Sequence, residues 1–385
     1  MSRKGLSSRS LVSLTFCLRA TLRTGLGLRA GWDGVLIALL VGLAACHAPT
    51  RPAPKRSFLA MGTIGSVSLP EADAARLDDA AARVTQVLRE LERRFSAFQP
   101  DSELSRLNAQ ADRAPVRVSP ELRALLGLAA EAAARSGGAF DVTVGPLMAL
   151  WGFRQEPKPD RAPDGRQIRA ALETVGWRHV VLSNDTVRFD RPGLRLDLGA
   201  AAKGYAVDRC CETLSAAGYS NALVNLGGNL RALGAAAPGR PWCLAVRHPM
   251  EPGRSIGTLE LAGGQAVATS GDYERFVVIQ GKRYAHIMDP RTGIPVRGMA
   301  GVTVVATTAA EADILSTTLF VLGLPAGARL LEDRPGCAAL IVPDRQPLEI
   351  WAGAALAFQP NPAVRDRVRA LDGSGRSRFP ATGRK

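Results

Sequence analysis

Leu196-Asp197-Leu198-Gly199-Ala200-Ala201-Ala202-Lys203-Gly204-Tyr205-Ala206-Val207-Asp208 carries the chain out of a β-rich run and into a helical one through glycine and alanine. Residues this small let another group approach the backbone closely. Such a junction leaves amides and the positive end of a helix available to a phosphate, and a carbonyl outside the ladder available to a hard cation. The same residues also make a tight turn packed for its own sake. They lack both the GxGxxG of a dinucleotide fold and the GK[ST] of a P-loop. Around the junction the β-rich runs are short: Val180 to Val187, Leu194 to Leu198, Ala222 to Asn225, Cys243 to Arg247, Gly257 to Leu261, Gln265 to Thr269, Phe276 to Gln280 and Val302 to Ala306. Single helices interrupt them irregularly, which predicts an α+β domain and not a regular βαβ alternation.

Towards the N-terminus, Phe58 to Pro70 reads as a strand and Ala72 to Phe95 as a helix with Leu77, Ala81, Val84, Val87, Leu88 and Leu91 on one face. A polar turn and a short helix follow up to Asn108, with Asp101 or Ser102 placed to cap it. Pro120 to Ser136 is a second amphipathic helix, stopped at Gly137-Gly138, where glycine takes the left-handed conformation.

The formal charge of +14 raises the question of nucleic acid. Residues 1–46 and 361–385 each contribute +5, which leaves about +4 for everything between. No basic stripe remains to neutralise a phosphate backbone, so a nucleic-acid partner is not expected. Val35 to Ala45, VLIALLVGLAA, is too short for an ordinary membrane span of roughly 20 residues and has the length of a signal h-region. It follows six basic residues and ends on Leu43-Ala44-Ala45-Cys46, similar to the lipobox of bacterial lipoproteins. This pattern predicts export, cleavage before Cys46 and acylation there, with a tether over 47–55, a domain over 56–358 and a basic, mobile tail over 359–385. The cysteines show no CxxC pair and no zinc-ligand spacing.

Two further constellations carry chemistry. Glu311-Ala312-Asp313-Ile314-Leu315-Ser316-Thr317 opens a helix after the strand GVTVVA, and helical spacing brings Asp313, Ser316 and Thr317 onto one face. A carboxylate and two hydroxyls form an all-oxygen set suited to magnesium, although a capped first turn has the same composition. Tyr284-Ala285-His286-Ile287-Met288-Asp289-Pro290-Arg291-Thr292-Gly293 runs from a strand into a turn. A histidine of near-neutral pKa at position 286 can take a proton from an attacking hydroxyl, with Asp289 available to orient it, or it can be structural.

Eight segments in order resemble the ApbE family of flavin transferases: MGT at Met61 to Thr63, FSAFQPDSELSRLN at Phe95 to Asn108, GAFDVTVGPL at Gly138 to Leu147, DLGAAAKGYAVD at Asp197 to Asp208, VNLGGN at Val224 to Asn229, TSGDYER at Thr269 to Arg275, HIMDPRTG at His286 to Gly293 and EADILSTTLFVLG at Glu311 to Gly323. The resemblance implies a T-fold-like α+β domain, with mixed and antiparallel sheets flanked by helices and FAD in a cleft. By position it implies FAD contacts at Met61, Phe98, Ala139, Phe140, Asp141, Asp197, Lys203 and Met288. It implies magnesium on the Ala200 carbonyl, Asp313 and Thr317; Ser316 stands where some relatives carry a further aspartate. The implied reaction moves FMN from FAD onto a Thr or Ser hydroxyl of an exported or membrane flavoprotein. An FAD pyrophosphatase and a non-catalytic FAD-binding lipoprotein stand as alternatives. The implied location is the periplasmic side of the inner membrane.

Overall fold

The computed structural model describes residues 53–70, 72–154 and 158–371. The leader, Cys46 and most of the expected tether lie outside the described residues. Strands β1 (Lys55–Ala60) and β2 (Thr63–Ser68) pair across a two-residue turn at Met61-Gly62. Both turn residues have positive φ, 48° and 68°, the pairing that lets a hairpin turn follow the strand twist. The run at 58–70, expected as one strand, is therefore a hairpin. Gly62 makes the reversal inexpensive, while Met61 is held in a conformation that side chains other than Asn and Asp seldom adopt.

From this hairpin a nine-stranded sheet is laid down in chain order. After β1 and β2 come β3 (Ala222–Leu226), β4 (Asn229–Leu233), β5 (Ala266–Gly271), β6 (Met299–Ala306), β7 (Ala338–Pro343), β8 (Ile350–Ala352) and β9 (Val368–Ala370). Neighbours are antiparallel except for the parallel pair β8 and β9. The link from β2 to β3 carries helices α1 (Ala74–Phe95), α2 (Glu103–Gln110), α3 (Pro120–Arg135), α4 (Gly145–Leu150), α5 (Gly165–Leu172) and α6 (Ala202–Ala216), and α7 (Ala309–Glu332) joins β6 to β7. Leu77, Val84, Leu88 and Leu91 do form the buried face of α1, and the Ser102 hydroxyl caps α2 by accepting from the Ser105 amide.

Both faces of the sheet are covered. On one, Val224, Leu226, Val302, Val304 and Ile341 pack under the helices. On the other, Leu223, Val267, Val305 and Leu340 meet Trp242, Ile256 and Leu259 of a three-stranded sheet. This double covering explains why β6 is buried along its whole length although antiparallel strands usually alternate. A bulge between Met299 and Gly301 inserts Ala300, so Met299 joins the helical face while Ala300 turns to the other. Helix α7 is long and apolar enough to cross a membrane by length alone, but Leu315, Leu319 and Phe320 bind it to the sheet core. It breaks at Gly323, whose φ is 71°.

The sheet extends beyond the boundary expected at 358. Phe358–Pro360 pairs with Ser255–Leu261, and β9 closes the large sheet beside β8. Those residues belong to the fold because Phe358, Val364 and Val368 pack against the second core face.

Candidate active site

The β1–β2 turn, the N-terminal ends of α6 and α7, and the segment 274–290 surround a cleft of about 780 Å³, within the ~300–1,000 Å³ usual for ligand and cofactor sites. Met61, Phe98, Ala139, Phe140, Asp141, Asp197, Lys203 and Met288 line it, as do Ala200, His286, Asp313 and Thr317. Ser316 and Asp289, also singled out in the sequence, do not.

The polar end of the cleft is built where α6 meets α7. Helix α6 has no cap of its own. Its Gly204 amide, in the first turn and so without an acceptor in its own helix, donates to Asp313 Oδ2 at 2.9 Å. Ala200 precedes the first helical bond, from the Tyr205 amide to the Ala201 carbonyl, and lies in the cleft wall. Asp313 is almost fully buried, and its Oδ1 lies 3.7 Å from Lys203 Nζ. The Thr317 hydroxyl, one turn on, is 3.2 Å from Ser270 Oγ. A carboxylate oxygen, a hydroxyl and a carbonyl thus share one wall, a donor set that fits a hard cation keeping waters or phosphate in its other positions. Among the described residues no three His, Cys, Asp or Glu side chains gather as a softer metal would need. Ser316 is buried away from the cleft: its hydroxyl donates to the Asp313 carbonyl at 2.9 Å and lies 2.8 Å from Ser270 Oγ. It supports Asp313 and the Ser270–Thr317 contact from behind.

Glycine at 204 is required for this meeting. A Cβ there would stand 2.2 Å from the Ala309 carbonyl oxygen and 2.7 Å from Asp313 Cβ. Gly204→Ala must push α6 and α7 apart and should cost about 1–3 kcal/mol, read as a lower melting temperature; an unchanged melt would contradict the close approach.

His286 stands at the end of the strand Lys282–Ala285. Its Nδ1 lies 3.1 Å from the Arg275 carbonyl oxygen. A carbonyl only accepts, so Nδ1 carries the proton and Nε2 keeps the lone pair. Asp289, expected to orient the ring, is engaged elsewhere: its carboxylate accepts from the Arg291 amide, Nε and Nη2, each at 2.9 Å. The Asp-Pro-Arg-Thr-Gly turn is closed by that pairing, and a backbone carbonyl takes the orienting role. The pKa also departs from the near-neutral expectation. Burial, helped by the nearby charge of Lys203, lowers it to about 4. The unfolded chain would take up this proton near 6.5, so stability held by a neutral His286 is lost as pH falls from about 6.5 through about 4. In the free protein, an NMR titration of the His286 ring should give a midpoint near 4; one near 6.5 would overturn the assignment.

The opposite wall is stiffened by groups the sequence did not expose. Arg154 Nε donates to Asp197 Oδ2 at 2.6 Å, and the guanidinium lies 4.4 Å from the centre of the exposed Phe98 ring. The Asp197 Oδ1 accepts from the Gly199 amide at 2.9 Å. Asp141 is spent on structure, accepting from the Thr143 amide and hydroxyl and from the Trp177 amide. Arg154 and Ser270 are two polar cleft residues that sequence reasoning missed. For Ser270, the segment Thr269 to Arg275 was the available signal, since alternation along β5 (Ala266–Gly271) carries Ser270 to the helical face. For Arg154 no spacing marks a partner 43 residues away.

Comparison with known proteins gives this geometry a family. Residues 61–341 match the model of the ApbE family. An FAD:protein FMN transferase of Treponema pallidum is 37% identical over 360 residues, covering 88% of this chain and 95% of that protein. One of Klebsiella pneumoniae is 33% identical over 327 residues, covering 82% and 93%. Among solved structures, the flavin transferase ApbE from Vibrio cholerae superposes with a TM-score of 0.69 at 32% identity, covering 78% of this chain and 97% of that one. The ApbE protein from Thermotoga maritima gives 0.68 at 33%, covering 82% and 99%. With a family model matching residues 61–341 and relatives more than 30% identical over most of both chains, the chain belongs to the ApbE family.

Proposed function

We propose that this protein is an FAD:protein FMN transferase that uses magnesium to move FMN from FAD to a Thr or Ser hydroxyl of an acceptor flavoprotein, releasing AMP. The observation that carries the reading is a single cleft holding both an oxygen-lined pole at Ala200, Asp313 and Thr317 and a neutral histidine with a free Nε2. Magnesium on that pole supplies Lewis-acid stabilisation of charge on the diphosphate. His286 Nε2 takes the proton from the acceptor hydroxyl, whose oxygen forms a new bond to the phosphorus on the FMN side. The bond from that phosphorus to the bridging oxygen breaks, and AMP leaves with the bridging oxygen and the electron pair. Lys203, beside Asp313, balances negative charge on the diphosphate. An anion next to Lys203 also cancels part of the charge that depresses His286, so bound substrate raises the basicity of the ring.

The leader supports an enzyme anchored through acylated Cys46 on the periplasmic face of the inner membrane, where exported flavoproteins would be its acceptors. The test is incubation with FAD, magnesium and a candidate acceptor, read by mass. An acceptor heavier by FMN supports transfer. FMN and AMP released with the acceptor unchanged would make the protein a pyrophosphatase, and unchanged FAD would leave it a flavin-binding protein.

A further inference from the structure

Helices α6 and α7 cap each other, and one half of that exchange has been given no role above. Asp208, in the second turn of α6 and buried, directs its carboxylate at the N-terminus of α7. The Ala309 amide donates to Oδ1 at 2.8 Å and the Ala310 amide to Oδ2 at 2.9 Å. Arg231 Nη1, from β4, donates to Oδ1 at 2.7 Å. In return, Asp313 on α7 accepts from the Gly204 amide on α6 at 2.9 Å. Each helix therefore supplies the carboxylate that satisfies the other's first-turn amides, and Gly204 lets the two backbones come close enough to do so.

We propose that Asp208 is a positioning residue for the metal pole. An aspartate can bridge two successive amides only if those amides stand at a fixed distance and direction from its backbone, so Asp208 fixes the start of α7 relative to α6. Fixing that start decides which oxygen Asp313 turns to the cleft. With Oδ2 held by the Gly204 amide, Oδ1 alone faces Lys203 and the cleft, which predicts one-oxygen ligation from this residue. Ala200 sits just before α6, so the crossed caps that hold the start of α6 against α7 place two of the three donors. Thr308 meanwhile caps the same helix locally, accepting from the Glu311 amide at 3.2 Å. Loss of Asp208 therefore loosens the orientation of α7 without unwinding it.

This inference rests on the proposal of a divalent cation at Asp313, and its test separates the two. Removing the Asp208 charge alone would leave half-buried Arg231 without its carboxylate, so the variant is the neutral pair Asp208→Asn with Arg231→Gln, with Arg231→Gln alone as control. Mn2+ binding is measured by electron paramagnetic resonance, without FAD and without turnover, and FAD binding is measured in EDTA. The double variant should bind Mn2+ about 10–100-fold more weakly, the range for residues that orient metal ligands. Its affinity for FAD in EDTA should stay within about twofold, and Arg231→Gln alone should bind Mn2+ as the parent does. If the double variant fails to fold, Asp208→Glu, which keeps the charge but displaces the carboxylate from the two amides, should show the same loss. Mn2+ affinity in the variants equal to that of the parent overturns the positioning role, as does an equal loss in Arg231→Gln alone. A parent protein that binds no Mn2+ overturns the cation site itself, and this role with it.

Discussion

Replacing His286 with alanine should leave FAD bound and stop FMN transfer. A general base contributes typically about 10²–10⁴-fold, so the rate of acceptor labelling should fall by about that factor while flavin fluorescence titration gives a dissociation constant within a few-fold of the parent. The split follows from geometry. His286 holds the Arg275 carbonyl through Nδ1 and offers only Nε2 to the cleft, so its loss removes a proton acceptor but none of the walls formed by Met61, Phe98 and Asp197. The pH profile supplies a second reading. The neutral ring is the active form and its folded pKa lies near 4 before substrate binds. Activity should therefore persist on the acid side below the 6.5 of an ordinary histidine, down to the point set by the substrate-bound ring. Full labelling by the alanine variant would remove His286 from the mechanism, and an acid limb of kcat/KM, which reports the free protein, still fixed at 6.5 would contradict its depressed basicity.

The sequence exposed the chemistry wherever it was local. Asp313 and Thr317 are four residues apart on one helix, and helical periodicity alone puts them together. The helix faces of α1 and the Ser102 cap were readable for the same reason. Long-range pairings could not be read. Nothing near His286 says that its ring will meet the Arg275 carbonyl eleven residues back, and proximity in sequence pointed to Asp289, which the Arg291 side chain two residues away captures in closing its turn. Arg154 on Asp197 depends on how the loop after α4 folds back over the junction. Met61-Gly62 is a different lesson: a methionine before glycine inside an apolar run reads as strand, and only the pairing of 60 with 63 turns it into a hairpin. The same limit applied at the C-terminal end, where basic residues after 360 masked the apolar contacts of Val364 and Val368.

Asp313 should prove harder to replace than a ligand of metal alone, because its two oxygens do different work. Oδ2 satisfies the Gly204 amide, a first-turn amide with no acceptor in its own helix, while Oδ1 faces Lys203 and the cleft. Asp313→Ala removes both. The Gly204 amide then loses its acceptor and with it the contact that holds the start of α6, and so the Ala200 carbonyl, against α7, so two donors are disturbed together and Thr317 is left as the remaining side-chain oxygen. The magnesium concentration for half-maximal transfer should rise by about 100-fold or more, beyond the ~10–100-fold usual for losing a supporting contact to a ligand. Asp313→Asn separates the two functions. Its amide oxygen can still accept from Gly204 and hold the start of α6 in place, so the structural part is retained and only the anionic oxygen is lost. The asparagine variant should therefore need less added magnesium than the alanine variant, though still more than the parent, and it should melt closer to the parent. Equal magnesium curves for parent and alanine variant would exclude Asp313 as a ligand. Equal curves for alanine and asparagine would show that the Gly204 bond does not position the Ala200 carbonyl, and the crossed capping of α6 and α7 would then be a packing device alone.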